Sequence, residues 1–237
     1  ITKIPNVISY LFYLLMYIFP TITSAAETYN TKTGNEALEN VTTGRFNTAY
    51  GWDALHNNTE GTYNTATGVI ALFYNTTGNH NTANGAGALT NNTTGINNSA
   101  SGAFSLYYNT TGSENTASGY QALNLNVTGI RNVAVGHNAL LNNNRGSTSN
   151  KEGSSNTAVG WSALKSNTSG VQNTAVGESA LQSNNIGEHN TAIGEDALFS
   201  NKSGSGNTAT GESALNNAKG NRNIAIGAQS GCALVTG

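Results

Sequence analysis

Small apolar residues recur along this chain at fixed intervals, separated by Asn, Thr, Ser and Gly. From residue 30 onward each interval follows approximately the pattern N-T-A-x-G-x-x-A-L-x-x-N-x-x-G-x-x. The N-T-A-x segment alternates with the period of a β-strand, and the Gly that follows is typical of a bend. The unit is short and contains two Gly, which argues against a helical solenoid. The pattern therefore predicts short strands separated by bends.

The repeat is 17 residues long and begins with Asn in each of twelve units. Successive Asn residues are 17 positions apart, except for a 24-residue step before Asn156 and a 16-residue step before Asn223. Asn side chains stacked at equivalent positions can form amide ladders. We therefore predict a structural ladder at repeat position 1, formed by Asn30, Asn47, Asn64, Asn81, Asn98, Asn115, Asn132, Asn156, Asn173, Asn190, Asn207 and Asn223.

Gly occupies repeat position 5 in all twelve units and position 15 in most of them. Gly is favoured where the chain turns sharply, often at positive φ. Two bends per unit predict two short strand segments per coil. The predicted coil-bend glycines at position 5 are Gly34, Gly51, Gly68, Gly85, Gly102, Gly119, Gly136, Gly160, Gly177, Gly194, Gly211 and Gly227.

Three further repeat positions predict which side chains point inwards. Leu occurs at position 9 in eleven units and is expected to be the inward anchor of each coil. Positions 2 and 4 become apolar together, as in Val133 with Val135 and Ile224 with Ile226. This predicts that both positions share a buried or half-buried face. Ala at position 3 points the other way and either lines a narrow core or packs against another chain.

These features predict an all-β protein, a β-solenoid or parallel β-roll of about twelve 17-residue coils. Coils stacked about 4.8 Å apart would form a rod about 50–60 Å long. We assign residues 27–237 to one solenoid domain, with the extra residues of the long unit forming an insert loop near 147–155. Residues 1–26 run from basic Lys3 through an apolar stretch to small residues. This order is typical of a signal peptide and predicts a secreted or cell-surface protein.

Three units carry a resemblance to a known family: NVAVGHNAL at Asn132, NTAIGEDAL at Asn190 and NIAIGAQSG at Asn223. They resemble the head repeats of trimeric autotransporter adhesins of the YadA-like kind, and related repeats occur in some phage tail fibres. The resemblance covers roughly residues 30–231, through one repeated motif. It implies a left-handed roll, a homotrimer and adhesion to a host surface, matrix protein or glycan. The repeat of this chain is longer, and its position 2 is mostly Thr rather than a bulkier apolar residue.

Composition and charge argue against several kinds of binding and catalytic site. Charged residues make up 9% of the chain and the net charge is −2, so no basic field exists to hold nucleic acid. The four histidines (His56, His80, His137, His189) fall at scattered positions, and we expect surface residues rather than a metal site. No serine has His and acid partners at compatible positions, which argues against a nucleophilic triad. We therefore expect no enzyme activity, no cofactor and no small-molecule substrate.

Three functions fit these observations. The first is an adhesive or fibre module whose contact candidates are the aromatic turn residues Trp52, Phe73, Tyr74, Tyr107, Tyr108 and Trp161. The second is an ordered-surface solenoid such as an ice-binding protein, based on the Thr-x-Thr pairs Thr31/Thr33, Thr65/Thr67 and Thr208/Thr210. The third is a structural spacer of a phage-like or surface fibre. Sequence alone does not separate the first function from the third.

Overall fold

The computed structural model describes residues 28–146, 148–149 and 151–234. The predicted signal peptide, residues 1–26, lies outside these described residues. Each repeat contributes one strand of three residues, which spans positions 2 to 4. The strands are β1 (Thr31–Thr33), β2 (Thr48–Tyr50), β3 (Thr65–Thr67), β4 (Thr82–Asn84), β5 (Ser99–Ser101), β6 (Thr116–Ser118), β7 (Val133–Val135), β8 (Thr157–Val159), β9 (Thr174–Val176), β10 (Thr191–Ile193), β11 (Thr208–Thr210) and β12 (Ile224–Ile226).

The twelve strands form one parallel sheet in chain order. Equivalent repeat positions pair directly, so Thr157 of β8 lies beside Thr174 of β9. The register is preserved across the 24-residue unit, where Val133 of β7 pairs with Thr157. Consecutive units therefore lie one above the other, one rung per unit. The predicted β-solenoid fold is confirmed, with about eleven turns.

The prediction of two strand segments per turn was wrong. Within the described residues each turn has a single strand, positions 6 to 11 form turns in a regular unit, and positions 13 and 14 form a bend. These turns still bond to the next rung, as in Leu164 N to Ala180 O at 3.0 Å and Thr168 N to Asn185 O at 2.9 Å. The bends satisfy their backbone groups between turns, so a second regular strand is not needed to close the coil.

The core is a narrow column of small and medium side chains. Ala at positions 3 and 8 and Leu at position 9 are fully buried in the central turns, as in Ala175, Ala180 and Leu181. This confirms the inward Leu and places the Ala row inside the core rather than on the surface. A fully buried Leu contributes about 1.5–3 kcal/mol, and it does so once per turn.

The strand face at positions 2 and 4, predicted to be buried or half-buried, is exposed in most strands and half-buried at both positions only in β8 and β11. Within one chain Val133 is 37% exposed and Val135 is 39% exposed, whereas Ala134 between them is buried. The strand alternates as expected, but the inside of each turn has room only for the Ala methyl group. The β-branched side chains therefore point outwards, where they form the outer face of the sheet.

The position-1 Asn residues are linked from turn to turn, and all are buried except Asn30 and Asn223 at the two ends, which are half-buried. Asn173 Nδ2 donates to Gly187 O at 2.8 Å and to Asn156 Oδ1 at 3.2 Å. Its own Oδ1 accepts the backbone N–H of Asn190 at 3.0 Å. The Asn173 amide thus bonds a bend carbonyl within its own turn and both neighbouring turns, so its polar atoms all have partners.

A second Asn ladder occupies repeat position 12, which the sequence argument left without a role. Asn184 Nδ2 donates to Asn167 Oδ1 at 2.9 Å and to Gly187 O at 3.0 Å. Several of these amides belong to Asn-x-Ser/Thr sequons, and burial prevents them from carrying a glycan in the folded chain. The position-12 sequon residues that are fully buried are Asn75, Asn92, Asn109, Asn126, Asn167 and Asn201.

Each turn holds non-glycine residues in the left-handed region of backbone space. Leu at position 9 has φ near +50° in every turn, for example 51° at Leu181. Positions 7 and 17 behave alike, as Ser179 at 54° and His189 at 57° illustrate. Such a conformation costs on the order of 1 kcal/mol or more for a residue with a Cβ atom. Burial of Leu and the hydrogen bonds between turns offset that cost.

The insert of the long unit lies between Asn144 and Gly153. Asn144 occupies position 13, because its N–H donates to Thr168 O at 2.9 Å as in the regular turns. Gly153 occupies position 15, because its carbonyl accepts from Asn132 Nδ2 at 2.9 Å. The extra residues therefore lie between positions 13 and 15 of this unit, slightly earlier than the predicted range of 147–155.

Candidate binding surface

An aromatic row follows repeat position 17 along the first turns. Tyr29, Phe46, Tyr63 and His80 stack face to face, with ring centroids 5.0–5.1 Å apart and planes 2–7° from parallel. The parallel register sets this spacing, because equivalent residues of adjacent turns lie one strand spacing apart. Each stacked pair contributes about 0.5–1.5 kcal/mol. Tyr63 nevertheless remains 54% exposed, so the row presents an aromatic strip to solvent.

A second aromatic group follows repeat position 6, just after the strand. Tyr120, His137 and Trp161 stack with centroid distances of 5.2 and 6.4 Å. Trp52 occupies the same repeat position near the start of the chain and is 53% exposed. Positions 17 and 6 precede and follow the strand, so aromatic side chains border the sheet at both ends of its strands.

The aromatic contact candidates proposed from the sequence divide into two sets. Trp52, Tyr74, Tyr108 and Trp161 are exposed. Phe73 and Tyr107 are half-buried and pack edge-on against their chain neighbours, Tyr74 at 4.6 Å and Tyr108 at 4.8 Å between centroids. The exposed members can touch a partner directly, whereas the half-buried ones support them.

The exposed aromatic side chains are concentrated in the first half of the solenoid. Among the described residues, nine of the ten exposed aromatic side chains precede residue 121, and Trp161 is the tenth. The nine are Tyr29, Phe46, Tyr50, Trp52, Tyr63, Tyr74, Phe104, Tyr108 and Tyr120. Amphipathic aromatic residues on a rigid scaffold are a common source of contact energy at binding surfaces. This half of the molecule is therefore the strongest candidate for a contact surface.

The outer face of the sheet changes character along the rod. In β1 to β6 position 2 carries a hydroxyl in every strand, at Thr31, Thr48, Thr65, Thr82, Ser99 and Thr116. From β7 onward position 4 is mostly Val or Ile, and Val135, Val176 and Ile193 are exposed. The second half thus adds an apolar strip at position 4, while Thr remains at position 2 of β8 to β11.

Positively charged side chains line a groove in the second half of the solenoid. Its walls include Arg145, Lys202 and Lys219, interspersed with Ser183 and Ser203. The residues that line it include no carboxylate. Arginine, lysine and hydroxyl groups that line one groove suit an acidic group of a ligand.

Titratable residues elsewhere form few close clusters. Arg131 Nε donates to Glu114 Oε2 at 2.9 Å, and this hydrogen bond, with the attraction of the carboxylate, raises the pKa of Arg131. Glu36, Asp53 and His56 bring three potential metal ligands within 4.8 Å of one another. His56 is half-buried, its ring stacked on Phe73 at 5.1 Å, so the expectation of a surface histidine was wrong for this residue.

Repeat position alone concealed this last cluster. Glu36 and Asp53 share position 7 of neighbouring turns, and His56 at position 10 comes round to the same side. His56 shares its repeat position with none of the other three histidines, and this difference alone does not show that it lies beside acidic residues. A comparison of acidic residues and histidines in adjacent units would have found the group.

Within the part of the chain that the structure describes, no helix has the length and apolar character to cross a membrane. Comparisons of this chain with protein-family models, with curated proteins and with solved structures found no match.

Proposed function

We propose that this chain is the binding module of an extracellular adhesive fibre. Its solenoid would act as a rigid rod on which the first half contacts a host glycan or matrix protein. The observation that carries the proposal is the concentration of exposed aromatic side chains before residue 121. Exposed aromatic surface lowers solubility unless a partner covers it, so its grouping on one half of a regular rod favours a contact role.

The stacked row has a competing explanation that the test must separate. Stacking between Phe46, Tyr63 and their neighbours stabilises the turns whether or not a ligand binds. Trp52 has no such explanation, because no other aromatic ring among the described residues stacks on it, and half of its surface faces solvent. A binding role predicts that Trp52 and Tyr63 matter for contact beyond what they add to folding.

The experiment compares two pairs of substitutions at the same repeat positions. The full chain and the double variant Trp52→Ala/Tyr63→Ala are tested for binding to immobilised glycans and matrix proteins. Substitution of two anchor residues is expected to weaken binding by at least about 30-fold, the effect of a 2 kcal/mol anchor. The control is Gln172→Ala/Glu178→Ala, which changes positions 17 and 6 in the second half and should bind as the unchanged chain does.

Circular dichroism is recorded for every variant, so that loss of folding is not mistaken for loss of contact. Failure of the unchanged chain to bind any member of the panel at accessible concentration would count against adhesion and favour a structural spacer. Equal weakening in both double variants would show that the aromatic residues are not the contact surface.

An ordered-surface function is the second candidate, and one observation favours it. Positions 2 and 4 point outwards, so the hydroxyl row of β1 to β6 lies on an exposed flat sheet. Adjacent hydroxyls are about 4.8 Å apart along the rod, as in any parallel sheet. Tyr50 and Asn84 interrupt the second row at position 4, which weakens a lattice match. A thermal-hysteresis assay on the full chain decides it, since adhesion predicts no hysteresis.

The apolar strip on the second half supports the association of several chains. Val135, Val176 and Ile193 are exposed in a single chain, and their burial against further copies would remove that apolar surface from water. Association into a homotrimer, which the adhesin resemblance implies, would leave the aromatic half free for a ligand.

A further inference from the structure

The carboxylate of Asp53 is the starting point, because it is buried without a hydrogen bond on one oxygen. Asp53 is 8% exposed, and its Oδ1 atom has no hydrogen-bond partner. His56 Nδ1 lies 3.4 Å from that oxygen and 3.1 Å from the carbonyl oxygen of Glu36. In the tautomer protonated at Nε2, the Nδ1 lone pair is free to bind a metal ion beside Asp53. A buried carboxylate oxygen without a donor is costly unless a cation approaches it.

Two further ligand atoms face the same point. Glu36 Oε2 lies 3.9 Å from His56 Nδ1, and the candidate ligand atoms of Glu36, Asp53 and His56 all fall within 4.8 Å of one another. Four-coordinate zinc bonded to nitrogen and oxygen at 2.0–2.2 Å places its ligand atoms roughly 3.4 Å apart. The spacing between His56 and Asp53 already matches that value. The Glu36 carboxylate is half exposed and can close the remaining gap.

The neighbouring side chains orient these ligands. Phe73 stacks on the His56 ring at 5.1 Å and 13°, which fixes the plane of the imidazole. Asn35 Nδ2 lies 3.3 Å from Glu36 Oε1, which leaves Oε2 for the cluster. Supports of this kind around a metal ligand typically change metal affinity 10–100-fold.

We propose that Glu36, Asp53 and His56 form a site for a transition-metal dication such as Zn²⁺. One imidazole nitrogen with two carboxylates suits zinc better than Mg²⁺ or Ca²⁺, which prefer oxygen ligands alone. Three protein ligands leave a fourth position for water. The site joins two turns, because Glu36 belongs to the first turn and Asp53 and His56 belong to the second.

The position of the site gives the metal a structural role at the end of the rod. A terminal turn of a solenoid contacts a neighbour on one side only, so it opens more readily than an internal turn. A metal that bridges Glu36 and Asp53 would clamp the first turn to the second. Zinc binding should therefore stabilise the N-terminal end of the solenoid more than its middle.

The test is titration of the full chain with Zn²⁺ by isothermal calorimetry, in a Cys232→Ser background so that the free thiol does not bind the metal. We expect one Zn²⁺ per chain, unaffected by excess Mg²⁺. Affinity should fall at least about tenfold in Asp53→Asn and in His56→Gln, two variants that keep side-chain size. Asp196→Asn and His80→Gln are the matched controls. Asp196 shares repeat position 7 with Asp53, but no histidine occupies position 10 of its unit, and His80 is not part of the cluster.

Hydrogen exchange supplies a readout that is independent of affinity. Zn²⁺ should slow amide exchange in residues 31–46 of the unchanged chain and leave exchange in the Asp53→Asn variant as it is without metal. Absence of calorimetric binding, or an equal loss of affinity in the two controls, would overturn the site. Binding without protection of residues 31–46 would overturn the clamp.

Discussion

At the scale of single residues, the fold depends on pairing most of the polar atoms that it buries; Asp53 Oδ1 is one of the few exceptions. Asn173 illustrates this, since its amide bonds Gly187 O and Asn156 Oδ1 while its oxygen accepts from Asn190. A buried amide left without partners costs about 1–3 kcal/mol for each group. Because similar turns stack in register, the same hydrogen bonds recur from turn to turn. A core with two Asn ladders is therefore compatible with a stable rod.

The position-5 glycines meet a second constraint, that of close approach. Gly119 has a φ of 134°, and a Cβ atom there would lie 2.6 Å from Gly136 O of the next turn. Gly227 occupies the same position in the last turn with a φ of 115°, and nothing lies within 4 Å of its Cβ site. Substitution of Gly119 therefore introduces both backbone strain and a steric clash, whereas substitution of Gly227 introduces backbone strain alone.

We therefore expect Gly119→Ala to lower the free energy of unfolding by about 2–4 kcal/mol, since strain and collision add. Gly227→Ala should cost about 1 kcal/mol, because only strain remains. Urea denaturation followed by circular dichroism measures both. Equal losses in the two variants would mean that the stacked glycine rows do not constrain the fold.

The sequence predicts residue roles where a position is nearly invariant, as with Asn at position 1 and Leu at position 9. It did not settle the outward face, because Thr and Ala are both small and strand alternation alone gives no direction. The paired Val133 and Val135 indicated burial, whereas the narrow turn admits only the Ala134 methyl group. Room inside the turn is a tertiary property, and the repeat pattern does not contain it.

At the scale of elements, the strands are too short to be stable alone. Each has three residues, and the rest of every turn depends on bonds to its neighbours. Leu181 has a φ of 51°, and the intrinsic backbone preference of Leu does not predict this left-handed conformation. It follows from the packing of each turn on its neighbours. The single strand per turn follows from the same cause, because left-handed residues at positions 7 and 9, on either side of position 8, prevent a second extended segment.

Deletion of the insert between Asn144 and Gly153 tests whether the extra residues contribute to the free energy of unfolding. Deletion of residues 145–151 restores a 17-residue unit and keeps the bonds from Asn144 N to Thr168 O and from Asn132 to Gly153 O. We expect the variant to unfold within about 1 kcal/mol of the unchanged chain, because loop closure depends weakly on length. Thermal unfolding followed by circular dichroism measures the difference.

A matched deletion provides the control. Removal of seven residues from a regular unit, 178–184, would take away Leu181 and Asn184 and shift every later rung. That variant should fail to fold cooperatively. A loss above about 2 kcal/mol on deletion of 145–151 would show instead that the insert packs as part of the solenoid.

At the scale of the whole molecule, the two halves of the rod differ in what they expose. The first half carries most of the exposed aromatic side chains above a hydroxyl-bearing sheet, and the second carries an apolar strip. An extended apolar strip at the surface supports the proposal that another chain covers it. Ile224 and Ile226 of the last strand are 76% and 75% exposed in a single chain, which extends the strip to the end of the described solenoid.

We expect the full chain to sediment as a trimer, at three times its chain mass of 24.5 kDa. The triple variant Val135→Thr/Val176→Thr/Ile193→Thr should shift the equilibrium to the monomer, because Thr keeps the β-branched shape of the strand while it makes the strip polar. The control Thr67→Ser/Ser101→Thr/Ser118→Thr changes position 4 in the first half and should remain trimeric. Sedimentation equilibrium gives the mass, and circular dichroism confirms that each variant is folded. A monomeric unchanged chain would contradict association through this face and leave the solenoid self-sufficient, which favours the ordered-surface function over the adhesive fibre.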